Sequence, residues 1–289
     1  MFDEILLPTD GSDNAAKAID HAILLADTFD ATVHGVYVMN LTYAADFDGG
    51  IDGGAVFSAL EREGKTALET VRSRCESDGI DVQTELLEGR PAHSITTYAS
   101  EHDVDLVTMG THGRSGVSRL LLGSITESVV RSTDRPVLTI PTDAPDPGDA
   151  YEAVLVATDG SDDARHAAET AAGVAAAFDA RLHGVYVVDL GGTRNQMIDS
   201  ILEEEGDRAV NAVSDIAENR GVESTTAVLK GVPHETIAEY ASEHDVDLVA
   251  VGSHGKGAIE RTFLGSVSER TIRSASQPVL VTRRPLDAE

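Results

Sequence analysis

Along the first half of the chain, short apolar runs alternate with longer segments in which Ala, Ile and Leu return every three or four positions. The runs "EILLPT", "TVHGVYVM", "DVQTELLE", "VDLVTMG" and "PVLTI" have the length of strands. Their near-continuous hydrophobicity suits strands covered on both faces. Between them, stretches such as "SDNAAKAIDHAILLADTF" and "PAHSITTYASEH" carry the helical period. Strand–helix alternation predicts an α/β fold of βαβ units, with a parallel sheet between two layers of helices. Five strands in about 140 residues fit one doubly wound domain.

The same pattern then runs a second time. "LPTDGSDNAAKAIDHA" at 7–22 answers to "VATDGSDDARHAAETA" at 156–171, and "HGVYVM" at 34 to "HGVYVV" at 183. "YASEHDVDLV" occurs identically at 98–107 and 240–249, and "RPVLTI" at 135 answers to "QPVLVT" at 277. The offset falls from 149 residues to 142, so the first copy holds seven extra residues, around "LTYAADFDGGIDGGAVF". Such self-similarity marks a tandem duplication. We expect one domain over 1–140, a Pro/Asp/Gly-rich linker over 141–150 ("PTDAPDPGDA"), a second domain over 151–283 and a tail over 284–289.

Composition narrows the partners. Of 289 residues, 50 are Asp or Glu against 22 Lys or Arg, a formal charge of −28, and only four are lysine. Phosphate backbones are bound through Lys/Arg contacts, so nucleic acid and anionic lipid are not expected partners. A surface this acidic repels itself unless salt screens it, and at molar salt the Debye length is about 3 Å. The expectation is a salt-rich, halophilic cytoplasm. No run reaches the roughly 18 apolar residues of a membrane span, and "MFDEILLPTDGS" lacks the basic start of a signal peptide. Cys75 is alone and is read as an incidental thiol near a helix end.

The chemistry concentrates in one repeated stretch. After the fourth strand the first copy reads "MGTHGRSGVSRLLLGSITE" (109–127) and the second "VGSHGKGAIERTFLGSVSE" (251–269). Both follow one spacing: Gly110-x-x-Gly113, nine residues, Gly123-Ser124; and Gly252-x-x-Gly255, nine residues, Gly265-Ser266. Glycines after a parallel strand allow close backbone approach and conformations closed to other residues. A helix starting at Gly-Ser presents unpaired N–H groups and a positive dipole end to an anion. Arg114 and Lys256 follow the second glycine, and Arg119 and Arg261 also align. Together these parts would cradle a polyphosphate. A purely structural reading stays open, because Ser124 with Glu127, and Ser266 with Glu269, form the S-x-x-E of a capping box. "EGKTALE" (63–69) is not a phosphate loop: it lies in a helical pattern, and Ala59 stands where the earlier glycine is needed.

These residues, with a first strand ending in "PTDGS" and a repeated G-x-P-x-x-x-I (Gly89, Pro91, Ile95; Gly231, Pro233, Ile237), resemble the universal stress protein family over essentially the whole chain, once per copy. The resemblance implies a sheet of order 3-2-1-4-5 in each domain and, for members with this glycine motif, ATP at the ends of strands one and four; the expectation here is that Mg²⁺ accompanies it. By resemblance Pro8, Thr9 and Asp10 contact the adenosine side, the backbone at Val38 lies near the base, and Gly110, Gly113, Arg114, Gly123, Ser124 and Ile125 hold ribose and phosphates. The matching positions in the second copy are Ala157, Thr158, Asp159, Val187, Gly252, Gly255, Lys256, Gly265, Ser266 and Val267. Ala157 departs from the proline. Family members also pair through the last strand, which implies an internal pseudo-dimer here, with a further homodimer open.

Other candidates compete. Asp10 and Asp159 could instead cap their own loops. His112 and His254 lie inside the glycine loops without a convincing nucleophile by motif, and His93, His102, His234 and His244 form no recognised metal pattern. "GGIDGG" (49–54) reads as a surface loop or a lid. The leading expectation is a stress-response regulator that binds ATP and signals to a protein partner. Slow ATP hydrolysis or phosphotransfer, and a nucleotide-free scaffold, are the alternatives.

Overall fold

The computed structural model describes residues 1–40, 53–113, 122–189, 191, 196–255 and 264–284. The chain divides into two units, Met1–Thr142 and Asp143–Glu289. The first holds β1 (Glu4–Pro8), α1 (Asp13–Phe29), β2 (Thr32–Met39), α2 (Gly53–Ser77), β3 (Val82–Glu88), α3 (Pro91–Glu101), β4 (Leu106–Gly110), α4 (Ser124–Ser132) and β5 (Val137–Ile140). The second repeats the series as β6 (Ala153–Ala157), α5 (Asp162–Phe178), β7 (Arg181–Asp189), α6 (Gln196–Asn219), β8 (Ser224–Gly231), α7 (Pro233–Glu243), β9 (Leu248–Gly252), α8 (Ser266–Ser274) and β10 (Val279–Thr282). Strands within unit 1 run parallel in the order β3-β2-β1-β4-β5. Those of unit 2 run parallel in the equivalent order β8-β7-β6-β9-β10.

The apolar runs form the middle of each sheet because both their faces are covered. Ile5, Leu6 and Leu7 of β1 and Val154, Leu155 and Val156 of β6 are fully buried. α1 and α5 turn small residues toward the sheet, Ala18, Ala22 and Ala26 in one and Ala167, Ala171 and Ala175 in the other, which lets each helix lie close. Each is started by a serine in extended conformation: Ser12 Oγ accepts from Ala15 N and Ser161 Oγ from Ala164 N, both at 3.2 Å. An N-cap of this kind is worth about 1 kcal/mol. β3 alternates half-buried with exposed positions, as a strand at the edge of its unit does.

Two sequence expectations meet their physical reasons here. The glycine of "EGKTALE" sits inside α2, where a Cβ on Gly64 would come within 2.5 Å of Leu86 Cδ1 and 2.8 Å of Tyr37 Cδ1. It is a packing glycine and not part of a phosphate loop. Cys75 lies in the last turn of α2 and is buried, and burial pushes its thiol up to about 11; a thiol kept protonated is a poor nucleophile. Only the end of "GGIDGG" is described, with Gly53 and Gly54 opening α2.

Candidate functional site

In each unit β1 or β6 connects toward one side of the sheet and β4 or β9 toward the other, so their exits diverge and leave a crevice at the carboxyl ends. In unit 1 this cleft has a volume of about 330 Å³. Pro8, Thr9 and Asp10 enter from β1, Val38 from β2, Gly110 and Gly113 from β4, and Gly123, Ser124 and Ile125 from the start of α4. In unit 2 the cleft is about 700 Å³. Ala157, Thr158, Asp159, Val187, Gly252, Gly255, Gly265, Ser266 and Val267 line it in the same arrangement. Arg114 and Lys256, with Arg119, Arg261 and the rest of both glycine loops over 114–121 and 256–263, lie outside the described residues.

The backbone of the second strand supplies an edge for a planar ligand. β1 ends at Pro8, opposite Val36, while β2 runs on to Met39. Thr9 N donates to Val36 O at 2.9 Å, so the polar groups of Val36 point toward β1. Backbone groups two residues along a strand point the same way. Those of Val38 therefore point into the space that β1 has vacated. Thr158 N donates to Val185 O at 2.9 Å, which aims Val187 likewise in unit 2. The "G-x-P-x-x-x-I" residues supply an apolar wall: Pro91 and Ile95 in one cleft, Pro233 and Ile237 in the other.

At the opposite end of each cleft, a helix begins without a side-chain cap. The N-caps of α4 and α8 are Gly123 and Gly265, and neither helix has a side-chain capping bond. The capping boxes expected at Ser124–Glu127 and Ser266–Glu269 are therefore absent. Each serine is already the first helical residue, one position too late to cap. Each glutamate turns along its helix instead, to Arg131 at 2.8 Å and to Arg273 at 2.6 Å. The amides of Ser124, Ile125 and Thr126 precede the first i→i−4 bond, made by Glu127 N to Gly123 O at 2.9 Å. They are left facing the cleft with the positive end of the helix dipole. Ile125 and Val267 are exposed apolar residues beside them. The helices are pinned in place by Thr126 Oγ1 to Gly110 O at 2.8 Å and Ser268 Oγ to Gly252 O at 2.6 Å, residues the sequence reading passed over.

The motif glycines serve a different purpose from the conformational freedom expected of them. None of the six has positive φ; in the strand-one loops it is Gly11 (φ 73°) and Gly160 (φ 74°) that do. The six are places of close approach. A Cβ on Gly113 would meet Asp10 Oδ2 at 2.5 Å, one on Gly255 would meet Asp159 Oδ2 at 2.6 Å, and one on Gly123 would meet Thr111 O at 2.8 Å. The aspartates also close their own turns, with Ser12 N donating to Asp10 Oδ1 at 3.0 Å and Ser161 N to Asp159 Oδ1 at 2.9 Å. Their loop-capping role is thus real, and it fixes both carboxylates against the glycine loops. Among the described residues no group of three or more His, Cys, Asp or Glu is placed to hold a metal ion.

The histidines divide by role. His102 and His244 are C-caps that stack on Tyr98 and Tyr240 with ring centroids 3.8 Å apart. His34 and His183, which the sequence reading did not single out, are buried in β2 and β7. They reach the same tyrosines, at 3.0 Å and 3.1 Å from the hydroxyls. Their signal in the sequence was the shared "HGVYV", visible as a repeat but not as a polar cluster. His112 and His254 line the clefts.

Among the described residues, no helix is long and apolar enough to cross a membrane. The family model for universal stress proteins matches residues 1–141 and again 150–283. A universal stress protein of Methanocaldococcus jannaschii is 37% identical over 140 residues, 48% of this chain and 82% of that protein. One from Synechocystis is 25% identical over 300 residues, 96% of this chain and 99% of its own. The crystal structure of a universal stress protein from Archaeoglobus fulgidus superposes with a TM-score of 0.74 at 26% identity, over 99% of this chain and 97% of that one. With the family pattern met once in each half, the chain belongs to the universal stress protein family as a tandem member.

Proposed function

We propose that each unit binds ATP, and that the protein is a nucleotide-responsive stress regulator. The observation that carries this reading is the pair of uncapped helix N-termini, α4 and α8, each opening onto a cleft whose other end offers a strand edge at Val38 or Val187. A base fits the strand edge and apolar wall, and phosphates fit the helix amides. Both clefts fall in the roughly 300–1,000 Å³ range of small-molecule sites. With no protein cluster for a metal among the described residues, Mg²⁺ belongs to the proposal as a companion of the phosphates, the way this ion is most often carried. Occupancy at about 100 times Kd would add around 2.7 kcal/mol to the native state, enough to favour the conformation a protein partner reads.

Calorimetry with ATP and Mg²⁺ in high salt tests this on the wild type, Gly113→Val, Gly255→Val and the double variant. A side chain at either position must displace the neighbouring aspartate. Two sites in the wild type, one in each single variant and none in the double are expected, with circular dichroism confirming that the variants fold. Absence of binding by folded wild-type protein would overturn the reading.

A further inference from the structure

Where the linings of the two clefts pair position by position, the residue types match except at four places, and all four run in one direction. Pro8, Met109, Ile125 and Thr126 of the first cleft are answered by Ala157, Val251, Val267 and Ser268 of the second. Each exchange puts the smaller side chain in unit 2, whose cleft is about 700 Å³ against about 330 Å³ in unit 1. Thr126 and Ser268 make the same hydrogen bond, to Gly110 O at 2.8 Å and to Gly252 O at 2.6 Å, so that exchange removes a methyl group alone.

Two of the four positions form a pair on the floor of the cleft. Ala157 of β6 stands in register with Val251 of β9. In unit 1 the ladder pairs Ile5 with Leu106 and Leu6 with Val107; continued by two residues, it sets Pro8 opposite Met109. Register partners of parallel strands project to the same face of the sheet. Pro8 and Met109 are buried, whereas the end of β6 at Ala157 is only half-buried. The pair also has a fixed place along a ligand. β1 lies between β2 and β4, the strand edge at Val38 belongs to β2, and the helix amides follow β4. Whatever joins a base at that edge to phosphates at those amides must pass over Pro8 and Met109, or over Ala157 and Val251. In a nucleotide that part is the sugar.

We propose that the two clefts differ in ligand: the first is fitted to a nucleotide with an unsubstituted sugar, and the second admits one carrying an apolar group on its sugar hydroxyls. This rests on the nucleotide reading above and names Pro8 and Met109 as the residues that exclude the larger ligand. The enlarged floor is apolar, with Ala157 and Val251 below and Val267 beside the amides, so it suits an acyl or aryl substituent. In an apolar pocket one methylene already changes discrimination by about 10–200-fold.

The probe is 2′/3′-O-(N-methylanthraniloyl)-ATP, an aryl ester on the sugar, followed by fluorescence anisotropy. ATP, followed by calorimetry, is the reference, and both are used with Mg²⁺ in high salt. Gly113→Val isolates the second cleft and Gly255→Val the first. The second cleft should hold the ester with a Kd close to that for ATP, and the first should hold it about 10–200-fold more weakly than ATP. Exchanging the floor should exchange the behaviour. Ala157→Pro with Val251→Met, in the Gly113→Val background, closes the second cleft to the ester but not to ATP. Pro8→Ala with Met109→Val, in the Gly255→Val background, opens the first. The fold accepts proline at this place, since Pro8 stands opposite Val36 as Ala157 stands opposite Val185, and retained ATP binding reports folding in each variant. Equal discrimination by the two clefts, or a difference that the exchanges leave in place, overturns this inference alone. Absence of ATP binding by folded wild-type protein overturns the nucleotide reading and this inference with it.

Discussion

Replacing Gly252 by alanine should destabilise unit 2 more than Gly110→Ala destabilises unit 1, although the two glycines occupy equivalent positions. A Cβ on Gly252 would lie 2.7 Å from the carbonyl carbon of Asp163, 2.8 Å from Ala164 N and 3.0 Å from Asp163 O. Non-bonded carbon atoms settle near about 3.5 Å, so the first turn of α5 would have to recede by roughly 0.8 Å. All three atoms are backbone, in a turn held by the Ser161 cap and by the Asp163 bond to Ser253. On Gly110 the nearest atoms are Asn14 Nδ2 at 2.6 Å and Cγ at 3.0 Å, the end of a side chain that can rotate away. Overpacking of this kind costs about 1–3 kcal/mol; Gly252→Ala belongs at the upper end and Gly110→Ala at the lower. For a unit of this size each kcal/mol moves Tm by about 2–4 °C. Scanning calorimetry should thus show a fall of roughly 4–12 °C in the unit 2 transition, and less than half of that for unit 1 in the other variant. Equal falls, or none at Gly252, would refute the claim that these glycines are present for close approach.

Further outcomes follow from charge. His183 is 4% exposed, and burial first, then His244 and Arg181, hold its pKa below the ordinary 6.5. The unfolded chain therefore binds the proton first: unit 2 is at full stability above pH 6.5 and loses stability as pH falls from there toward the folded-state value, by at most about 1.4 kcal/mol per pH unit. Urea unfolding across pH 5–7 should show this slope, and His183→Gln should flatten it; an unchanged slope would assign the acid sensitivity elsewhere. The formal charge of −28 motivates a last expectation, that Tm rises steeply with KCl as the Debye length shrinks from about 10 Å at 0.1 M to about 3 Å at 1 M. A melting temperature indifferent to salt would remove the argument for a salt-rich cytoplasm.

The duplication, the strand–helix alternation and the membership of each half in one family are all properties of periodicity and spacing, and the sequence alone determined them. Buried parallel strands must be apolar throughout and helices must show their period, so "EILLPT" and "SDNAAKAIDHAILLADTF" could be read without coordinates. The sequence also pointed to Gly-Ser as the start of α4 and α8. It could not say which residue caps these helices, because S-x-x-E describes a capping box only if the serine precedes the first helical turn. A one-residue shift, set by the packing of Thr126 and Ser268 onto the ends of β4 and β9, leaves the helix amides uncapped. The roles of the motif glycines were equally hidden, since what a missing Cβ makes room for is an atom distant in sequence: Asp10 beside Gly113, or the first turn of α5 beside Gly252. The contrast of Asp163 with Asn14 looked like one more substitution between repeats. Only folding brings it against His254, whose Nδ1 lies 3.1 Å from the Asp163 carboxylate.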